Sequence, residues 1–320
     1  MSFDRLQEKI DEMKNPTVVG LDPALEHIPP QILDKCIEKH GETLWAAAVA
    51  VCEFNTLLIN ALHDIVPAIK PQLAFYEALG TEGLVTFEKT CQYAKSKGMY
   101  VIGDGKRNDI GSTAEAYSAA YLGTVKVGDK EHRPFEVDAL TINVYLGSDG
   151  IKPFLENAVK YDKAIFALVK TSNPSAGELQ DMLIGDSQGN SFPDTHLYTA
   201  VGDLIEDVSR DTIGKYGYTR VGAVVGATYP DEIAYLRKRL KNTFFLIPGY
   251  GAQGGSAADV AQAFDKDGHG AIINSSRGII AAWKKTSDDF AAAARIEALR
   301  MRDELRVAIY GEGCMSADNC

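Results

Sequence analysis

The chain has 320 residues and a mass of 34.7 kDa, with 45% hydrophobic and 24% charged residues. This is ordinary globular usage, so it excludes a disordered chain, a collagen-like repeat and a disulfide-stapled scaffold. The formal net charge of −11 and the pI near 5.1 argue against a nucleic-acid-binding surface, which needs clustered basic residues.

The sequence carries no recognisable membrane or secretion signal. No apolar run approaches the roughly 18 residues of a membrane span, and the N-terminal sequence MSFDRLQEKIDEMKN lacks the apolar core of a signal peptide. The five cysteines are scattered, form no CxxC pair and are interpreted as reduced thiols. We therefore expect a soluble, cytoplasmic protein that binds neither membrane nor metal through its thiolates.

Short apolar runs recur along the whole chain, each ending at Gly, Pro or a polar residue. They lack polar alternation, as expected of parallel strands buried on both faces. The runs occupy 17–22, 65–70, 99–104, 137–142, 164–170, 220–226, 243–248 and 270–274. Helical patterns lie between them, at 42–63, 113–122, 230–241 and 256–265. Pro67 predicts that the second strand is short or begins after it.

This alternation predicts an α/β protein with a (β/α)₈ barrel, built as a single domain over residues 1–320. A doubly wound open sheet has the same alternation and remains the alternative. The least structured stretch, 173–195, follows the fifth strand, where it is either an active-site lid or an ordinary surface insertion. Residues from about 311 to 320 are predicted to be a disordered tail.

The densest group of reactive side chains is DGKRNDI at 104–110, directly after the third apolar run. Asp104 and Lys106 are two residues apart at the end of a strand, so their side chains can face the same side. A lysine flanked by carboxylates stays protonated and can act as a general acid. The alternative is a solvated turn in which Asp109 caps the next helix.

A second group has the features of a phosphate site. PGYGAQGGS at 248–256 follows the seventh run, and NSSRGI at 274–279 follows the eighth. Glycines let backbone N–H groups approach an anion, and barrels often bind phosphate between these two loops. Arg277 supplies a guanidinium for bidentate contact. The sequence contains no metal-ligand spacing, nucleophile elbow or cofactor motif.

The motifs are shared, in order, with one known family. DGKRNDIGST at 104–113 matches a DxKxxDI signature, and six further segments accompany it: GLDP at 20–23, IKPQLAFYE at 69–77, LTINVYLG at 140–147, LVKTSNP at 168–174, PGYGAQGG at 248–255 and INSSRG at 273–278. Together they resemble the orotidine 5′-phosphate decarboxylases, and their spacing resembles the longer bacterial and protozoan branch of that family.

The resemblance implies a cofactor-free (β/α)₈ barrel that works as a homodimer. Its reaction converts orotidine 5′-monophosphate to uridine 5′-monophosphate and CO₂ in pyrimidine biosynthesis. Lys106 would donate the proton to C6 of the pyrimidine, and Asp104 would lie against the departing carboxylate. Asp109 would reach into the active site of the neighbouring subunit, together with Ile110 and Thr113.

The resemblance also implies how the rest of the substrate is held. Lys70 would hold Asp104 and a ribose hydroxyl, and Asp22 and Gln72 would contact the ribose. Ser172 would read the amide edge of the pyrimidine, and Gln253 and Arg277 would hold the phosphate. In shorter family members a histidine often stands where this chain has Asn173, which leaves the contacts of the lid open.

Two rival functions are compatible with parts of the pattern. Sugar-phosphate relatives, such as 3-keto sugar-phosphate decarboxylases and hexulose-phosphate synthases, share the DxKxxD turn but use magnesium and an additional acidic ligand. A catalytically silent nucleotide-binding module is the other rival. The set of Asp104, Lys106 and Asp109 argues against it, because anion binding alone does not need opposed carboxylates.

Overall fold

The computed structural model describes residues 1–185, 191–251, 254–286 and 289–311. Eight parallel strands close into a barrel in which each strand pairs with its neighbours in chain order, and β8 pairs with β1. These strands are β1 Thr17–Leu21, β2 Ala68–Pro71, β3 Tyr100–Arg107, β4 Ala139–Ile142, β5 Ala164–Lys170, β6 Val221–Val225, β7 Phe245–Pro248 and β8 Ala271–Ser275. The predicted barrel is therefore confirmed, and the doubly wound sheet is excluded.

Most helices follow a strand and pack on the outside of the barrel, whereas the first precedes β1 and closes one end. They span Ser2–Met13, Pro30–His40, Leu44–Leu62, Leu73–Glu77, Gly80–Ser96, Gly111–Tyr121, Lys152–Lys160, Gly177–Gln180, Leu197–Ser209, Pro230–Arg239, Ala257–Ala261, Arg277–Ile280 and Phe290–Tyr310. Two hairpins lie outside the barrel, Val125–Val127 with Lys130–His132 and Leu183–Gly185 with Ser191–His196. Each strand run in the sequence corresponds to one barrel strand, and β2 begins after Pro67.

Two hydrophobic cores follow from the alternation of side chains along the strands. Val18 of β1 packs in the cluster inside the barrel, whereas Val19 packs between the strands and the helices. Helix Ser2–Met13 closes the amino-terminal end of the barrel. Its Phe3 ring lies 4.9 Å from the ring of Phe166 and 5.0 Å from that of Phe244. Because this end is plugged, chemistry is left to the carboxyl ends of the strands.

Helix Leu44–Leu62 has a mean hydropathy of 1.5, and within the described residues it is long and apolar enough to cross a bilayer. This helix corresponds to the helical pattern predicted at 42–63, and Glu53 interrupts its apolar run. Half of the helix is buried, and it packs against helices Gly80–Ser96 and Phe290–Tyr310. These contacts are those of a helix in the outer layer of the barrel.

The segment after β5 is more regular than its sequence indicates. It contains a 3₁₀ turn at Pro174–Ala176, helix Gly177–Gln180 and the hairpin formed by Leu183–Gly185 and Ser191–His196. The expectation that 173–195 has little structure was wrong in these parts, because a single turn of helix and a three-residue strand leave no periodic pattern. The predicted tail beyond 311 lies outside the described residues.

Candidate active site

A cleft of about 490 Å³ opens at the carboxyl ends of the barrel strands. Its walls come from several strands and from the loops that follow them. The structure brings these predicted residues together in it: Asp22, Lys70, Gln72, Asp104, Lys106, Ser172 and Arg277. Gln253 lies outside the described residues.

The carboxylate of Asp104 is the centre of a dense hydrogen-bond network. Its Oδ2 atom accepts from Lys70 Nζ at 2.6 Å and from Gln72 Nε2 at 2.9 Å. Its Oδ1 atom accepts from Lys106 Nζ at 2.6 Å and from Thr141 Oγ1 at 2.9 Å. Four donors, which lie on β2, β3 and β4 or directly after them, therefore fix both carboxylate oxygens of the buried Asp104.

These contacts keep Asp104 charged although it is buried. Burial by itself would raise the pKa of its carboxyl group, but the charges of Lys70 and Lys106 and their hydrogen bonds hold that pKa well below its usual range. Burial would likewise lower the pKa of Lys70, but the charges of Asp104 and Asp22 more than offset this and raise it. The site therefore holds fixed charges of both signs.

The two lysines differ in how they face the cleft. The side chain of Lys70 is 5% exposed, whereas that of Lys106 is 46% exposed, although both ammonium groups contact Asp104. Lys70 is thus locked into the barrel wall, and Lys106 presents its ammonium group to the cleft. A proton donor needs this second arrangement, since it must approach the reacting atom.

The backbone at Lys106 is shaped to aim its side chain. Lys106 has a φ of +47°, a left-handed conformation that is uncommon for a residue with a side chain. The pairing of β3 with β4 also shifts register between Gly103 and Arg107. Thr141 Oγ1 accepts the backbone N–H of Lys106 at 3.0 Å and so holds this irregular turn. Strain of this kind is found where surrounding contacts over-determine a functional geometry.

Asp22 and Ser172 lie on either side of this charged floor. Asp22 follows β1, and its buried Oδ1 atom accepts no hydrogen bond from any part of the chain that the structure describes. An unsatisfied acceptor that faces a cleft is suited to bind a hydroxyl group of a ligand. Ser172 follows β5 and lines the same cleft from the first part of the loop.

The loops after β7 and β8 form the predicted anion end of the cleft. Arg277 is exposed, begins helix Arg277–Ile280 and pairs with no carboxylate of the described chain. Opposite it, Gly249, Gly251 and Gly254 have φ values of +101°, +70° and +100°. Only glycine adopts such values without strain, so this loop can turn its backbone towards a ligand. A free guanidinium beside a glycine loop can hold a phosphate.

Three predicted residues do not line the cleft of their own chain. Asp109 Oδ1 accepts the N–H of Ile110 at 2.8 Å, and no side chain caps the helix that begins at Gly111, so the alternative role as a cap is not observed. Ile110 is 52% exposed, and Thr113 is also exposed. All three follow the end of β3 and are absent from the lining of this cleft.

Comparison with known proteins gives one consistent result. Residues 18–289 match the model of the "Orotidine 5'-phosphate decarboxylase / HUMPS family". The chain belongs to this family. The chain is 41% identical to the orotidine 5'-phosphate decarboxylase of Rhodopirellula baltica, and the comparison covers 91% of this chain and 94% of that protein.

Solved structures of family members have the same fold. The OMP decarboxylase of Leishmania donovani is 30% identical with a TM-score of 0.72, over 97% of this chain and 99% of that chain. The UMP synthase of the same organism is 31% identical with a TM-score of 0.73. The comparison covers 96% of this chain but 56% of that synthase, so the chain spans little more than half of its length.

Two polar residues that line the cleft, Thr141 and Asn274, were not among the predicted site residues. Thr141 is buried on β4 and connects Asp104 with the backbone of Lys106. Asn274 is 7% exposed, and its Oδ1 atom has no partner in the described ranges. Thr141 stands inside the apolar run 137–142, and Asn274 begins the segment 274–279 that was interpreted as part of a phosphate site without a role of its own. A polar residue within a buried strand is the signal that would have found them.

Asn143, which also follows a strand, is not part of the cleft lining. Its Oδ1 atom accepts the N–H of Tyr145 at 3.0 Å, so it shapes the turn after β4. No three His, Cys, Asp or Glu side chains come together as a metal site within the described residues.

Proposed function

We propose that the chain catalyses the decarboxylation of orotidine 5′-monophosphate to uridine 5′-monophosphate in pyrimidine biosynthesis. The observation that carries this proposal is the buried Asp104 carboxylate held between Lys70 and Lys106 at the floor of the cleft. The family to which the chain belongs supports the same reaction. This activity makes the protein a carboxy-lyase.

The reaction proceeds by loss of CO₂ from C6 of the pyrimidine. The bond between C6 and the carboxylate breaks, and its electron pair remains on C6. The Lys106 ammonium group stabilises this developing charge and donates a proton to C6, so that a C6–H bond forms. The neutral amine then recovers a proton from water. The exposure of Lys106 to the cleft supports this role.

Asp104 acts on the substrate carboxylate through its charge. The pKa of its carboxyl group lies well below the usual range, so Asp104 is ionised at neutral pH when the substrate arrives. Two like charges about 4 Å apart repel by roughly 4 kcal/mol at an effective dielectric constant near 20. This repulsion disappears as CO₂ leaves, while the attraction to Lys106 remains.

The remaining predicted residues bind the non-reacting parts of the nucleotide. Arg277 and the glycine loop hold the phosphate, and Gln253 is assigned to the same group. Asp22 and Lys70 bind ribose hydroxyls, with Gln72 beside them, and Ser172 binds the amide edge of the base. Binding energy from the phosphate orients the reacting carbon against Lys106.

The magnesium-dependent relatives fit this geometry less well. Both oxygens of Asp104 accept hydrogen bonds from ammonium groups, one from Lys70 and one from Lys106. The cations beside this carboxylate are therefore side chains of the protein itself. A site built from a fixed anion and an exposed ammonium suits removal of a substrate anion and protonation of the carbon left behind.

The active enzyme is a cytoplasmic homodimer with shared active sites. Asp109, Ile110 and Thr113 follow the end of β3 but do not line the cleft of their own chain, which supports a contribution to the site of a second copy. Closed dimers present the same surface twice, so each chain would complete the site of the other.

Two experiments test these proposals. Turnover of orotidine 5′-monophosphate in D₂O should place deuterium at C6 of the product, measured by NMR, and Lys106→Ala should form no product. Mixing and refolding Lys106→Ala with Asp109→Ala should restore about a quarter of the activity, since half the dimers then carry one intact site. An inactive mixture of the two variants would contradict shared sites.

A further inference from the structure

A second buried lysine lies beneath the loop that follows β5. Lys170 is the last residue of β5, and its side chain is completely buried. Burying a lysine costs free energy unless its charge is paired, so a cation at this position needs an explanation that apolar packing cannot give. The reaction described above makes no use of it.

The ammonium group of Lys170 is held by one carboxylate and two aromatic rings. It forms an ion pair with Asp181, and Nζ lies 4.6 Å from the ring centre of Tyr229 and 5.1 Å from that of Tyr198. A Cβ atom on Gly177 would lie 2.8 Å from Asp181 Oδ2, so a larger residue at 177 would force this carboxylate to shift. The ion pair therefore occupies a fitted site.

The same ion pair closes the base of the loop 171–181. At this base, Gln180 Oε1 accepts the N–H of Thr171 at 2.9 Å, and Gln180 Nε2 donates to Thr171 Oγ1 at 2.7 Å. The backbone oxygen of Lys170 accepts the N–H of Gly226 at 2.7 Å, which ties this end of the loop to the barrel. Thr171 and Gln180, which lie at or next to the two ends of the loop, are thus joined twice. Ser172 and Gln180 line the active-site cleft from this loop.

We propose that Lys170 and Asp181 form a clamp that positions the β5 loop over the cleft before substrate binds. The proposal rests on the proposed function, because the loop matters through the contact of Ser172 with the base. Lys170 is a positioning residue and not a catalytic one, since it touches neither the cleft nor the reacting atoms. Without the clamp, the loop would sample other conformations, and only a fraction of molecules would be ready to bind.

This mechanism predicts a particular division between kinetic constants. Substrate binds only molecules whose loop is in the competent conformation, so the apparent dissociation constant rises in inverse proportion to their fraction. Saturating substrate draws all molecules into that conformation, so kcat is kept. Lys170→Met should therefore raise KM about tenfold and change kcat by less than about twofold. The inhibition constant of the product, uridine 5′-monophosphate, should rise by the same factor as KM.

Lys163→Met is the matched control. Lys163 is also buried, precedes the opposite end of the same strand and lies 3.8 Å from Asp138. Its replacement should change unfolding by urea and leave KM and kcat unaltered. Asp181→Asn breaks the same ion pair from its exposed side and leaves the buried ammonium group of Lys170 without its carboxylate, so this variant should also lose stability. Lys170→Met leaves only Asp181 unpaired, and that side chain is 42% exposed. The double variant of Lys170 and Asp181 should be no worse than Lys170→Met alone.

Amide hydrogen exchange of residues 171–181, measured without substrate, tests the clamp independently of turnover. We expect faster exchange in Lys170→Met and Asp181→Asn and unchanged exchange in Lys163→Met. Unchanged exchange and unchanged KM in the first two variants would overturn the proposal, as would a loss confined to kcat. If the wild-type protein does not convert the substrate, the proposed function fails, and the exchange data still decide on the clamp.

Discussion

Replacing Thr141 with valine tests whether the arrangement around Asp104 is needed for catalysis. Valine has nearly the same shape as threonine but no hydroxyl group, so the fold of β4 should be kept. The change removes the bond from Thr141 Oγ1 to Asp104 Oδ1 and leaves the backbone N–H of Lys106 without its acceptor. A hydrogen bond to a charged group contributes about 1.5–3 kcal/mol.

That free energy corresponds to a loss of about 10- to 100-fold in kcat/KM, since about 1.4 kcal/mol is a factor of ten. We expect most of the loss in kcat, because the change loosens the proton donor and spares the groups assigned to the phosphate. The assay is the decrease in absorbance as the pyrimidine carboxylate is lost. Thr141→Ser keeps the hydroxyl group and should recover most of the activity. Wild-type kcat/KM in Thr141→Val would refute the reasoning.

Three further predictions concern charge. Arg277→Ala should raise KM about 10- to 100-fold with a smaller change in kcat, measured by steady-state kinetics; equal losses of kcat in this variant and in Lys106→Ala would contradict the division of roles. Asp104→Asn should lower the free energy of unfolding by about 3–5 kcal/mol in urea titrations, because Lys70 loses its buried partner. The pKa of Asp104 is lower in the native protein than in the unfolded chain. The difference in unfolding free energy between the wild type and Asp104→Asn should therefore persist above about pH 4 and shrink as the pH falls below it. A difference that stays constant with pH would argue against the ion pair.

The third of these concerns Lys163, whose pKa burial lowers from 10.5 to about 8. Between these values the unfolded chain binds more protons than the native one, so stability should rise with pH, by roughly 3 kcal/mol at most. Urea titrations of Lys163→Met should lack this rise, and a rise of equal size in the variant would show that other groups cause it.

The barrel could be predicted from the sequence because its strands are buried on both faces. Runs such as 164–170 and 220–226 are apolar apart from the terminal Lys170 and Arg220, and their spacing leaves room for a helix between them. Pro67 indicated where β2 begins, because proline is unfavourable inside a central strand and the residues before it were not expected to join the sheet. The small elements after β5 carried no such signal. They depend on contacts between residues that are distant in the sequence, such as those of Lys170 with Asp181 and Tyr229, and such contacts leave no local pattern.

The charged residues at strand ends could also be predicted, since the topology of a parallel barrel brings all such ends together. What could not be predicted is which atoms they touch. The network that fixes Asp104 depends on Thr141, a residue inside a buried run, and on the left-handed backbone of Lys106. Neither the register of β3 against β4 nor a positive φ at a lysine leaves a trace in composition or periodicity.

The most direct test of the central claim is the absorbance change on adding orotidine 5′-monophosphate to the purified protein in excess EDTA. Lys106→Ala serves as the matched variant. We expect rapid loss of substrate absorbance with the wild-type protein and essentially none with the variant. Activity that vanishes in EDTA and returns with magnesium, or a variant that turns over like the wild type, would contradict it.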